Sequence, residues 1–310
     1  MISRRNISVK VMKTLYTINS AQGMPTTTDP AKQLTKQIDS SIQLFIYILY
    51  VLAEVGRYAE TDSLKRSSKN LPSHQDLNVD TKLSGNEFLA KIIESPTYIK
   101  AIEDLKPERF EGTQNQVKKI YNTLIETEEY KKYLSEKERN KKSEKDIFSF
   151  VFNNILLPSE DFTSHVEEYF TNWDDDCEMI QQLMMNFLQR PVTYNFQQML
   201  SEEKWNFART LLKTTIEKKE LTQELIKPKL KNWDADRIAV LDMILMEMGI
   251  CELLFFETIP PKVTINEYID LAKLYSTPMS GQFVNGILDN IHKELDSQNK
   301  IRKISFNKKP

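Results

Sequence analysis

KVTINEYIDLAKLYSTPMSGQFVNGILDNI runs from Lys262 to Ile291. Thr264-Ile265-Asn266-Glu267 has the form of a capping box, in which Thr264 accepts from the Glu267 amide and Glu267 reaches back to the Thr264 amide. Val263 and Tyr268 are spaced for the accompanying hydrophobic staple. A last helix over about 281–296 puts Phe283, Val284, Ile287, Leu288, Ile291 and Leu295 on one buried stripe. Gly286 lies at the border of that stripe, in a chain with only seven glycines. A glycine inside a helix costs about 1 kcal/mol relative to alanine. Two readings are open. The missing side chain admits a neighbouring helix, or it makes room for a partner beside Phe283 and Asn285, the latter pointing off the stripe.

Upstream, the same period recurs. A helix over about 201–219 carries Trp205, Ala208, Leu212 and Ile216, and another lies around 221–231, with Pro228 interrupting it or marking its end. A third spans about 234–256, with Ile238, Leu241, Leu245 and Met248 on one face, and Pro260-Pro261 stops the chain before the next element. At the other end, Ile7, Val11, Leu15 and Ile18 make one face of a helix over 4–20. Arg4, Arg5, Lys10 and Lys13 surround that face, with no acid before Asp29. Gly23–Pro30 is a break, and a long helix is expected from about Ala31 to Tyr58. Residues 61–86 read as a polar loop. Helical stretches with breaks at Pro96, Pro107, Pro158 and Pro191 fill 87–200. Strand-like alternation is almost absent, so the fold class is all-α, a helical bundle. The expected domains are an N-terminal helical region over 1–200, a helical domain over 201–298 and a polar basic tail over 299–310.

Composition narrows the function. The net charge of −2 excludes a globally basic nucleic-acid binder, so any such binding needs a local patch. The two cysteines, Cys177 and Cys251, and the three histidines are scattered, which speaks against a zinc site, a histidine triad or a disulfide framework. No cofactor, metal or catalytic residue is expected. The apolar run Ile42–Val55 has 14 residues, fewer than a bilayer needs, and fits a buried helix. With no signal-peptide core at the start, the expectation is a cytoplasmic protein away from membranes. Asp174-Asp175-Asp176 with Glu178 fits a solvated acidic turn better than a Mg²⁺ site, whose ligands must converge in space. The 131–145 run holds seven Lys/Arg and reads as a solvent-facing helix.

At this point the chain resembles a known family. Ile259-Pro260, Ile265-Asn266-Glu267, Leu271-Ala272-Lys273 and Phe283-Val284-Asn285-Gly286 followed by Leu288-Asp289 look like the carboxy-terminal signature of the NusB antitermination factors. Trp233, Arg237, Asp242 and Glu247 match a family pattern on the preceding helix. Arg4-Arg5 with Leu15-Tyr16 resembles the family's opening helix. The resemblance covers about 100 residues at the end and about 17 at the start, leaving 20–200 outside it. It implies a non-catalytic protein that pairs with the ribosomal protein NusE, binds boxA-like single-stranded RNA and joins the RNA polymerase antitermination complex.

On that reading Arg4, Arg5, Lys10 and Lys13 neutralise phosphates, while Phe283 and Asn285 meet unstacked bases and their edges. Gln282 stands where the family often has a basic residue. Lys229 stands where many members have an aromatic, offering charge in place of stacking. Tyr16, Arg237 and Gly286 are the candidates for the partner surface. The alternative is a helical interaction scaffold that keeps the core without binding RNA.

Overall fold

The computed structural model describes residues 2–20, 29–190, 194–230 and 238–304. All regular structure among them is helical. The α-helices are α1 (Arg4–Ser20), α2 (Pro30–Ser67), α3 (His74–Leu77), α4 (Glu87–Ile93), α5 (Pro96–Leu105), α6 (Thr113–Ile125), α7 (Glu128–Ser135), α8 (Lys141–Phe150), α9 (Glu160–Tyr169), α10 (Trp173–Gln189), α11 (Glu202–Glu217), α12 (Lys219–Ile226), α13 (Val240–Phe255), α14 (Pro261–Tyr275) and α15 (Ser280–Ser297).

They form two compact units, one of residues 39–199 and one of residues 2–38 with those from 200 onward. The opening residues therefore fold with the C-terminal part and not with the region that follows them in sequence. The reason is burial: Ile7, Val11 and Leu15 of α1 are sealed in the core, where α1 packs on α11 and α13.

The first unit is organised around α2. From Leu44 to Val55 nearly every side chain is buried, on all sides of the helix, as expected of a helix that is apolar all round. By length and composition α2 would also suffice to cross a membrane, but 67% of its apolar stretch lies inside the protein. The helix runs to Ser67, about two turns into the stretch expected to be loop, and α3 follows behind a capping box of Ser73 and Asp76. Polar groups inside this unit find partners within it. The Tyr47 hydroxyl is 2.7 Å from His165 Nε2 and 3.0 Å from Thr113 Oγ1. Glu144 accepts from Tyr133 Oη, the Glu87 amide and Arg139. The charged 131–145 run is thus two helices, α7 and α8, with a buried carboxylate between charged surfaces. Nor is the Asp174–Asp176 stretch simply a solvated turn. It forms the first turn of α10, where acids suit the helix dipole, and Asp176 is buried, accepting from Ser41 Oγ and Asn172 Nδ2, both at 2.6 Å. Among the described residues no cluster of acids, histidines or cysteines could hold a metal ion.

In the second unit α13 is the central element, wrapped by α1, α11, α12, α14 and α15. Residues from Ile244 to Leu253 are buried around its whole circumference, so the single apolar face expected there is only part of what is covered. The expected start at Asp234 lies outside the described residues. Gly249 makes the closest packing possible: a Cβ there would sit 3.0 Å from Leu288 and 3.2 Å from Tyr268.

The capping box expected at Thr264 does not form. Helix α14 begins one turn earlier, at Pro261, because proline's fixed φ and missing N–H suit the first helical position. Thr264 is therefore inside the helix, where its buried hydroxyl donates to Glu252 Oε1 at 2.7 Å.

Candidate nucleic-acid interface

The second unit brings the two ends of the chain to one buried residue, Glu252, one to its carboxylate and the other to its main-chain carbonyl. Glu252, in the last turn of α13, is fully buried. It accepts from Thr264 and from the Tyr268 hydroxyl at 3.2 Å, and Arg4 Nη1 lies 3.4 Å from its Oε1. Arg4 also stands over the Phe207 ring, 5.8 Å from its centroid. From the far end of the chain, Lys303 Nζ donates to the Glu252 carbonyl at 3.0 Å and the Phe256 carbonyl at 2.7 Å. A cation on the last carbonyls of a helix also satisfies its dipole. The expected tail over 299–310 is therefore fastened to α13 as far as it is described, and the Ile304 amide donates to the Glu257 carbonyl at 2.9 Å.

Arg5 is placed differently. Its side chain is 42% exposed, with Nη2 3.4 Å from Asp270 Oδ2 and Nε 3.9 Å from Glu267 Oε1. Partial burial pushes the Glu267 carboxyl up, and the neighbouring Arg5 and Arg4 pull it back. Two arginines in the first turn of α1 oppose the helix dipole. The carboxylates of α13 and α14 offset that cost.

The other expected phosphate contacts separate. Lys10 is buried within α1's packed face, so it is not part of a surface patch. Lys13 lies over the Tyr275 ring, 5.5 Å from its centroid. Lys229 pairs with Glu294, whose carboxyl it holds below the usual range. The basic surface drawn from α1 thus reduces to Arg5, with Arg4 committed to the interior.

Helix α15 sorts its residues cleanly. Phe283 is only 8% exposed, so it is core and not a stacking platform; its position on the apolar stripe requires this. Gln282, Asn285 and Gly286 are exposed, on the opposite side. Nothing lies within 4 Å of a Cβ built on Gly286. The tight helix packing weighed for this glycine is therefore absent among the described residues. Gly249 and Gly281 have the close contacts instead, the latter with the Lys273 stem. Tyr16 is 44% exposed on α1. Arg237 and Trp233 lie outside the described residues.

Glu252, Asp270, Gly249 and Lys303 were not singled out from sequence. Only Glu252 carried a signal, a lone acid inside the apolar run Gly249–Phe256.

Fold and ion pairs together define an all-helical protein in which the opening helix and the closing residues both meet Glu252 at the end of α13. A model of the NusB family matches residues 168–293. The chain is 35% identical over 141 residues to the transcription antitermination protein NusB of Thermodesulfovibrio yellowstonii, covering 43% of this chain and 93% of that protein. Proteins of the same name from Salinibacter ruber and Methylacidiphilum infernorum are 44% and 48% identical over 98 and 83 residues. Those matches span 32% and 27% of this chain, and 61% and 58% of the relatives' own lengths. A solved structure of T. maritima NusB is 32% identical, covering 36% of this chain and 84% of that one, with a TM-score of 0.29. This chain belongs to the NusB family. The family match begins at residue 168, so α10 lies within it, although the resemblance read from sequence left everything over 20–200 outside.

Proposed function

We propose that this protein acts in transcription antitermination by binding, without catalysis. Together with the ribosomal protein NusE it holds a boxA-like single-stranded RNA for the RNA polymerase antitermination complex that transcribes ribosomal RNA. Arg5 contacts a phosphate, which makes the affinity salt-dependent. Gln282 and Asn285 offer donors and acceptors to base edges. Gly286, bare beside them, lets the RNA backbone or a base approach the helix. Tyr16 is the exposed aromatic available to the RNA or to NusE. The observation that carries this reading is Gly286: an exposed helical glycine over which no described residue comes within 4 Å of an added Cβ.

The test is a gel shift with boxA-like RNA, with and without NusE. Weak binding alone, tighter binding with NusE, and a loss of affinity with a shallower salt slope in Arg5→Ala support the proposal. Unchanged binding in Arg5→Ala rejects the phosphate contact. One observation favours the scaffold reading: Arg4, Arg5 and Lys229 all have carboxylate partners within the chain. That reading expects no RNA binding with or without NusE.

A further inference from the structure

We infer that Asp270 and Glu267 compete with RNA phosphate for Arg5, so that these two carboxylates of α14 set the affinity of the proposed RNA site. The inference rests on the RNA-binding reading above and adds a control element to it.

The geometry separates the two arginines of α1. Arg4 answers a carboxylate with no exposure to solvent, and that carboxylate also takes hydroxyls from Thr264 and Tyr268. Removing Arg4 from it would leave a buried charge underpaired, which is costly. Arg5 answers two carboxylates at 3.4 and 3.9 Å. Those are charge–charge distances without good hydrogen-bond geometry. The Asp270 side chain is 48% exposed, and exposed pairs are weak. Glu267 is less exposed, at 16%, so it is chiefly Asp270 that Arg5 can exchange for a phosphate, at less cost than Arg4 can leave Glu252.

Asp270 also has a second cation within reach. Its Oδ1 is 4.0 Å from Lys273 Nζ, one turn along α14. The Lys273 stem lies against Gly281, where any Cβ would come within 2.6 Å of its Cγ. Lys273 is thus held over the start of α15, close enough to Asp270 to accept it when a phosphate takes Arg5. Until that exchange occurs, the two carboxylates repel any anion approaching Arg5. A strand that makes further contacts to α15 can overcome this repulsion, and a lone phosphate gains less.

The experiment is a double-mutant cycle on the full chain, read by fluorescence anisotropy. The probe is labelled boxA-like single-stranded RNA in the presence of NusE, over a salt series. Asp270→Asn is expected to bind about two- to fivefold tighter at low salt, with Glu267→Gln changed in the same direction and the gain shrinking as salt rises. In the Arg5→Ala background the Asp270→Asn gain should vanish. Binding by Asp270→Asn where the natural protein binds too weakly to measure also supports the inference. If Arg5→Ala weakens binding while Asp270→Asn leaves it unchanged or weaker, the competition is refuted and the RNA site stands. A gain of equal size with and without Arg5 also refutes it, since any lost negative charge would then do the same. No binding by any variant overturns both readings.

Discussion

Gly56 and Gly286 are both glycines inside long helices, one in each unit, and they differ in what surrounds them. At Gly56 in α2 an added Cβ would lie 2.6 Å from Leu89 and 3.0 Å from Phe148, so the missing side chain is what lets α4 and α8 close on the core helix. At Gly286 in α15 an added Cβ would meet nothing within 4 Å among the described residues. The same helix cost of about 1 kcal/mol is explained by the chain's own packing in one case and by no described residue in the other. A residue whose cost is not recovered inside is where an outside partner should be sought. The same division runs through the charges: Arg4 and Glu252 look inward, Arg5 outward.

The comparison is sharpened most by breaking something that looks entirely inward. Glu252→Ala strips the partner from Arg4, Thr264 and Tyr268 at once. It should cost about 3–5 kcal/mol in urea unfolding, the range for breaking a buried ion pair. A loss below about 1 kcal/mol would mean that the Glu252 carboxylate does not hold the opening helix to α13 and α14. Next in size, Gly56→Leu overfills the space between α2, α4 and α8 and should lose about 1–3 kcal/mol. Gly286→Ala should move the opposite way, stabilising by about 0.5–1 kcal/mol, because the new methyl meets no neighbour. If both glycine variants destabilise alike, the contrast fails.

A gentler test concerns pH in the first unit. Burial lowers the His165 pKa below its ordinary 6.5, and the ring is held by Tyr47. The unfolded chain then binds the proton more readily than the folded one. Stability from this group is complete above about pH 6.5 and falls as pH drops toward the lowered folded pKa. Denaturant melts at several pH values should show a slope below pH 6.5 that flattens in His165→Gln. An identical slope in the variant would remove His165 from the account.

Much of this was legible in the sequence where burial follows a period. The apolar stripes of α1 and α15 needed only local spacing; on α11 the period finds Ala208 and Leu212 but not Leu211, and Ile216, expected on that stripe, is 40% exposed. The family was legible because Ile265-Asn266-Glu267, Leu271-Ala272-Lys273 and Phe283-Val284-Asn285-Gly286 occur together in order, a combination far more specific than any one of them. The partners of charges were not legible. Glu252 is paired with a residue almost the whole chain away, and no local rule links Arg4 to it. Lys10 looked like a surface cation because a lysine one or two turns from Arg4, Arg5 and Lys13 suggests a basic patch, yet it lies between the buried Val9 and Val11 and α1 is covered on that side too. The capping box at Thr264 failed because two local signals competed. Pro261 opened the helix first, and Thr264 became an interior hydroxyl donor to Glu252. Phe283 showed the limit of a motif: membership of the conspicuous tetrapeptide did not decide which of its residues face outward, whereas the helical period did.

The central claim is that the bare strip of α15, together with Arg5, is a surface for RNA and has no part in folding. Gly286→Leu tests it most directly, by measuring thermal unfolding and boxA-like RNA binding with NusE on the same sample. The account predicts a melting temperature equal to or above that of the natural protein, with RNA affinity reduced at least about tenfold, a loss of about 1.4 kcal/mol. An unaltered affinity in a folded Gly286→Leu protein would contradict it.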